Sequence, residues 1–330
     1  MKALAHLDKN KTAWFMLIVL FSFFLLRLPS LFEPYWYGDE GIYQTLGMAI
    51  RDGRLLYRDI WDNKPPFLYL LYSVFDSDQF STKLASLIVG ALSVLVFFFL
   101  AKKLFDSART RSKIHFFATI IFAILFGLPL IEGNIANAEN FMMLPILISA
   151  LMIFNLANKK SSSLFNFQLF IAGLLLSFAF LFKVVALFDF AAFIVFIAII
   201  HLPQKLPLKN IKNITPQIIP LSIGFIVPIF LTSMFFLINH AFKDFFQAVF
   251  LQNVDYVGYG NKFLIPHGLL LLKAILLYIF ILCIFKIRRI LSLTTIFILI
   301  CFAFSLFNAF FCRASISSLS IGVFLSKKAL

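Results

Sequence analysis

The chain has 330 residues, of which 62% are hydrophobic and 13% charged, with 46 phenylalanines. A soluble domain carries about 25% charged residues, so this composition excludes a water-soluble globular protein and predicts an all-α polytopic membrane protein, each span needing roughly 20 mostly apolar residues. The net charge of +14 does not signal nucleic acid, because the basic residues stand in short clusters between apolar runs, the pattern that orients spans in a membrane.

The apolar runs predict nine helical spans, near residues 13–31, 84–101, 115–131, 141–157, 165–182, 184–201, 218–239, 268–285 and 290–311. The first run, Ala13 to Leu26, is followed by Arg27-Leu28-Pro29 and has no small-residue cleavage site, so it reads as a retained helix. Cys283, Cys301 and Cys312 have neither metal nor redox spacing and read as small apolar filler. Lys2, Lys9 and Lys11 open one set of segments, which continues with Lys102 to Lys113, Lys159-Lys160, Lys205 to Lys212 and Lys286 to Arg289. These clusters alternate with the other loops, which predicts a cytoplasmic N-terminus. Of the carboxylates, only Asp8 and Asp106 fall in that set, and the other 13 of 15 lie on or near the opposite side.

Between the first two spans lies a polar island, Leu31 to Lys83, with eight carboxylates: Glu33, Asp39, Glu40, Asp52, Asp59, Asp62, Asp76 and Asp78. It is too long for a plain connector and should have structure of its own. Asp39 is suited to cap a helix beginning near Glu40, with Ile42, Leu46, Ala49 and Ile50 on one face and Gly53 as its end. Pro65-Pro66 suits the first turn of a second, aromatic-rich helix, Phe67 to Phe75. A later segment, Ala241 to Val254, reads as amphipathic, with Phe242, Phe245, Phe246, Val249 and Phe250 on its apolar face.

Three clusters can carry chemistry. Asp39 and Glu40 are neighbours, so on a helix their side chains diverge by about 100° and take different tasks. A carboxylate at a partly dehydrated surface holds protons more tightly and can act as general base towards a hydroxyl. Spacing alone equally allows a helix cap followed by a first-turn acid. The stretch Tyr57 to Pro66 places Arg58 and Lys64 among Asp59, Asp62, Tyr57 and Trp61. The two cations suit a phosphate, and local ion pairing with Asp59 and Asp62 is the competing reading. Gly133 to Asn140 offers Glu139 and several Asn side chains for sugar hydroxyls or a metal, or else a capped turn. Lys183 and Asp189 flank a short turn on the same side and are candidates to pair with each other or with a ligand. His240 and His267 fall there too and are candidates to join a carboxylate at a metal.

The succession Gly38-Asp39-Glu40-Gly41-Ile42-Tyr43, then Leu56-Tyr57-Arg58-Asp59-Ile60-Trp61-Asp62-Asn63-Lys64-Pro65-Pro66, then Asn137-Ala138-Glu139 and Phe182-Lys183 resembles the GT-C class membrane glycosyltransferases of the protein O-mannosyltransferase and aminoarabinose-transferase-like superfamily. The resemblance implies a GT-C-like helix bundle over residues 1–311, with amphipathic helices in a catalytic first extracytoplasmic loop, residues 31–83. It implies a polyprenyl-phosphate-linked sugar as donor and a hydroxyl of a lipid, glycan or protein as acceptor, with inversion at the anomeric carbon. It implies an integral protein of a bacterial plasma membrane, active on the extracytoplasmic face. Carried onto this chain, Asp39 is the candidate base. Glu40, Tyr57, Arg58, Asp62, Lys64, Glu139 and Lys183 are the candidate substrate and donor contacts. Relatives differ in their need for a divalent metal; Glu40, Glu139 and His267 are the candidate ligands here. After Phe311-Cys312-Arg313 the chain turns Ser-rich through 312–330, where the family runs on, and this predicts a lost C-terminal part. The rival functions are a lipid-linked glycan flippase, which predicts ionisable residues near the midplane of the spans where only Lys273 stands, and an inactive remnant.

Overall fold

A computed structural model describes residues 2–33, 37–105, 113–157, 163–201, 215–252 and 268–312. Among the described residues every regular element is helical. In chain order they are α1 (Lys2–Arg27), α2 (Gly38–Arg51), α3 (Phe67–Val74), α4 (Gln79–Phe105), α5 (Ile114–Gly127), α6 (Ala138–Leu156), α7 (Ser163–Phe182), α8 (Ala186–His201), α9 (Thr215–Ile238), α10 (Phe242–Phe246), α11 (Gly268–Ile287) and α12 (Leu293–Cys312). Each predicted span coincides with one of these helices. Among the described residues, five stretches, within α1 and its following turn and in α4, α6, α7 and α9, are long and apolar enough to cross a bilayer. The protein is an all-α polytopic membrane protein.

Two compact units emerge. The first holds Met1–Leu56, Pro66–Leu151 and Leu181–Lys183; the second holds Tyr57–Pro65, Met152–Phe180 and Val184–Leu330. In the first, α1, α4 and α5 pack through Val19, Phe23, Val94 and Ala123, with Phe15, Phe122 and Phe126 around them. The rings of Phe97 and Phe122 stack at 4.2 Å.

The polar island folds much as its turn residues dictate. Helix α2 ends where Gly53 takes φ +81°, a conformation that costs a residue with a Cβ about 1 kcal/mol or more. Its start differs from expectation. Tyr37, with extended backbone and no side-chain cap, precedes the helix. Asp39 is therefore already inside the first turn rather than capping it. The buried face is also different: Glu40, Tyr43, Leu46 and Gly47 face inward, while Ile42 is exposed. The period of three to four that buries them runs through a glutamate, so hydrophobicity alone could not reveal it. Pro66 sits at the N-cap of α3, one residue earlier than expected. Leu68, Tyr69 and Tyr72 of that helix are fully buried.

In the second unit α8 and α12 pack through an aromatic cluster. Phe297 lies edge-on to Phe196 at 5.0 Å and to Phe154 at 5.3 Å. The predicted amphipathic segment forms α10 and a π-helical turn, Gln247–Leu251, in which Phe245, Ala248 and Val249 are buried. Phe242 and Phe246 are exposed rather than part of the buried face. Val254 lies outside the described residues.

Helices α7 and α9 meet at two glycines. A Cβ on Gly173 would strike the Leu221 carbonyl oxygen and come to 2.8 Å from the Phe225 nitrogen. One on Gly224 would strike the Phe170 carbonyl oxygen. Backbone against backbone is how apolar spans gain packing when no solvent drives them together. Gly173→Val is expected to destabilise the fold by about 1–3 kcal/mol through overpacking, read as a fall of several degrees in the unfolding midpoint in detergent.

Candidate functional site

Asp39 and Glu40 occupy the second and third positions of α2, and the helix sends them in opposite senses. Asp39 is half-buried, and the Tyr43 hydroxyl one turn later donates to its Oδ2 at 2.9 Å. Glu40 is fully buried. Its Oε1 accepts the backbone N–H of Ala136 at 3.0 Å, and its Oε2 lies 3.6 Å from Nζ of Lys83, itself fully buried in α4. Arg27, at the end of α1, is also fully buried, donates to the Ser86 hydroxyl at 3.0 Å and pulls electrostatically on Glu40. Burial pushes the Glu40 carboxyl above the usual carboxylate range, against the opposing pull of the Ala136 N–H, Lys83 and Arg27.

The loop before α6 completes this arrangement. Asn137 caps α6, its side-chain oxygen accepting the Asn140 N–H at 3.1 Å. The Ala136 carbonyl accepts the Tyr72 hydroxyl at 3.0 Å. Asn134 donates to the Glu33 carboxylate at 3.0 Å. Tyr37 stands among acids: burial, with Glu132, Asp39 and Glu139 nearby, pushes its phenol up to about 12. Glu139 pairs with Lys183, a partnership that the spacing of Lys183 and Asp189 did not suggest.

The segment Tyr57 to Pro65 belongs to the second unit. Tyr57 is buried there at φ 73°. Its ring packs against Phe236 at 5.2 Å and Phe245 at 5.5 Å. Its hydroxyl donates to the Lys64 carbonyl at 2.7 Å, and its N–H to the Ile60 carbonyl at 2.6 Å. Burial, with Asp62 adding to it, raises the Tyr57 phenol well above its ordinary value. Arg58 grips Asp59 with a two-pronged fork, Nε to Oδ1 at 2.9 Å and Nη2 to Oδ2 at 3.1 Å, while Nη1 reaches the Asn239 carbonyl at 3.4 Å. That bond to Asp59 holds its charge more firmly than usual. Asp62 accepts the Asn63 N–H at 2.7 Å, and Lys64 is half-buried.

The first unit thus brings together Asp39, Glu40, Glu139 and Lys183; the second brings together Tyr57, Arg58, Asp62 and Lys64. Glu40 and Glu139, proposed as metal ligands from sequence, each face a lysine, and among the described residues no three His, Cys, Asp or Glu side chains converge as a metal site. His267 lies outside the described residues. Sequence reasoning missed Arg27, Lys83 and Tyr43. A lone cation at the end of an apolar helix is a signal in itself, since in a span it needs a partner. Tyr43 gave none beyond its spacing of four from Asp39.

The sequence profile of the dolichyl-phosphate-mannose-protein mannosyltransferase family matches residues 64–231. That range takes in Lys64, Glu139 and Lys183 and begins after Asp39, Glu40, Tyr57, Arg58 and Asp62. Comparison with curated proteins and with solved structures finds no match.

Lys83→Met would strand the buried Glu40 charge and is expected to cost about 3–5 kcal/mol; adding Glu40→Gln should restore much of it. In the wild type the raised Glu40 value means that the folded state holds this proton more tightly than the unfolded chain. Its contribution to stability is therefore full below the ordinary glutamate value of about 4.3 and is lost as pH rises through the raised one. Unfolding midpoints measured from acid to neutral pH should show that decline, and Glu40→Gln should remove it.

Proposed function

The chain belongs to the dolichyl-phosphate-mannose-protein mannosyltransferase family, integral membrane glycosyltransferases that use polyprenyl-phosphate sugars, and we propose that Asp39 is the general base of its transfer reaction. The acceptor hydroxyl gives its proton to the Asp39 carboxylate as its oxygen bonds to the anomeric carbon of the donor sugar. The bond from that carbon to the phosphate oxygen breaks on the opposite side, the electron pair leaves with the polyprenyl phosphate, and the anomeric centre inverts. The donor sugar is mannose, in keeping with the family's name, and the acceptor is a hydroxyl of a protein or glycan. The reaction runs on the extracytoplasmic face, with the N-terminus cytoplasmic, in accord with the distribution of Lys and Arg along the chain. A bacterial plasma membrane is the proposed location.

The observation that carries this reading is the division of labour in α2. Of two adjacent carboxylates, Glu40 is spent on buried cations, and Asp39 stays half-exposed beside a hydrogen-bond donor. A base needs that combination of access and orientation. Lys64 is the proposed contact to the donor phosphate, a compact charge on a backbone that Tyr57 pins at the Lys64 carbonyl. Arg58 joins it by exchanging Asp59 for phosphate oxygens, which present the same two-acceptor geometry to its fork. Asp62, Glu139 and Lys183 are proposed to line the donor and acceptor approach, and the 1–311 bundle to act as one catalytic domain.

Asp39→Asn is expected to lower transfer by about 10²–10⁴-fold at an unchanged level in the membrane. The assay is mass spectrometry of products from a panel of labelled polyprenyl-phosphate sugars, and undiminished transfer would refute Asp39 as base. Lys64→Met is expected to raise the donor KM by about tenfold or more, as loss of a charged hydrogen bond requires, with a smaller change in kcat.

A further inference from the structure

We propose that Tyr43 is a positioning residue for the transfer reaction, holding the Asp39 carboxylate in one orientation and keeping it ionised. The proposal rests on the reading of Asp39 as general base. Tyr43 is four residues after Asp39, and a helical side chain leans back towards the preceding turn. The phenol therefore spans one turn along its own helix, and its hydroxyl donates to Asp39 Oδ2 at 2.9 Å. The ring itself is 1% exposed. It lies edge-on to Tyr72 at 5.7 Å and to Tyr69 at 6.1 Å. Tyr72 in turn donates to the Ala136 carbonyl, and the N–H of that same residue holds Glu40. A closed circuit results, in which Asp39 is held by Tyr43, Tyr43 is packed on Tyr72, Tyr72 is bonded to Ala136, and Ala136 is bonded to Glu40, the neighbour of Asp39. Glu40 is held by the Ala136 N–H directly, and Tyr43 is supported by the Tyr72 ring rather than by its hydroxyl.

Two consequences follow for the reaction. The bond to Oδ2 fixes the rotation of the carboxylate, so it sets the direction from which the acceptor proton is received. A donor to the charged form also favours that form. The charged and titratable groups of this region are Tyr37 before α2, which feels Asp39, Glu132 and Glu139, and Glu40, which feels Lys83 of α4 and Arg27 of α1. Lys183 acts through its pairing with Glu139. Replacing the Tyr43 hydroxyl removes its hydrogen bond to Asp39 and leaves these charged side chains in place.

The test uses the full chain in lipid nanodiscs, with polyprenyl-phosphate [14C]mannose as donor and a serine/threonine-rich peptide as acceptor. Tyr43→Phe is expected to lower kcat by about ten- to a hundredfold, the penalty for a misaligned reacting group, at an unchanged donor KM. The acid limb of kcat/KM should move up by about one pH unit. Tyr72→Phe serves as the comparison: it deletes a buried hydroxyl that does not touch Asp39, so it should lower the unfolding temperature and leave the acid limb in place. Should Tyr43→Phe fail to accumulate, 3-fluorotyrosine at position 43 keeps the shape and strengthens the donor, and the limb should then move to lower pH. A Tyr43→Phe protein with wild-type kcat and an unmoved limb, beside an inactive Asp39→Asn, would overturn this inference alone. An active Asp39→Asn would overturn it together with the assignment of the base.

Discussion

The first unit is organised by a carboxylate buried in a medium that cannot solvate it. Glu40 has no exposed surface, and the desolvation of such a group amounts to several kcal/mol unless cations and N–H donors meet it. The chain supplies them from three places: Lys83 from the start of α4, the Ala136 N–H from the loop before α6, and the more distant pull of Arg27 from the end of α1. Each of these elements is tied to the same point near one end of its helix. An apolar packing surface would tolerate a small slide or rotation of these helices. The ion pair does not, because a shift of an ångström or two leaves an uncompensated charge.

That demand for registry bears directly on Asp39. Nothing about an isolated 14-residue amphipathic helix fixes its rotation to within the tolerance that the proposed proton transfer needs. Consecutive side chains diverge by about 100°, so anchoring Glu40 inward aims Asp39 away from the core. The Tyr43 hydroxyl, on the same helix, then sets the plane of the carboxylate. A pair of adjacent acids is thus a means of coupling interior electrostatics to surface chemistry through one turn of helix. The same logic appears in the second unit, where buried Tyr57 holds the backbone carbonyl of Lys64 and leaves the side chain of that residue only half-buried.

Much of this fold is legible in the sequence because the membrane enforces it. Unsatisfied backbone groups are so costly in hydrocarbon that long apolar runs have one outcome, and each of the nine predicted spans has its helix. Gly53 and Pro65-Pro66 declare the ends of α2 and the start of α3 for equally local reasons. What the sequence concealed is tertiary. The inward face of α2 is set by a glutamate, which hydrophobic periodicity assigns to the outside. Lys83 looked like the end of a polar loop, and Arg27 like a flanking charge that stops a span; their meaning lies in a partner 43 and 13 positions away in the chain. Adjacency alone makes Asp39 and Glu40 diverge on a helix, but which of them turns inward depends on the rotation of the helix, and that rotation comes from α1, α4 and the loop before α6.

The same reasoning explains why Arg58 and Glu139 carry partners of opposite charge. In the proposed function Arg58 meets a phosphate, and an acid beside it supplies a weak, exchangeable partner until then. The Arg58 fork on Asp59 is exposed, where solvent screens an ion pair, so the proposed exchange for a phosphate has little to overcome. The Glu40–Lys83 pair is the opposite case: buried completely, it has no such exchange available and serves only to hold. Burial, more than residue type, separates the charged groups that position this site from those suited to bind at it.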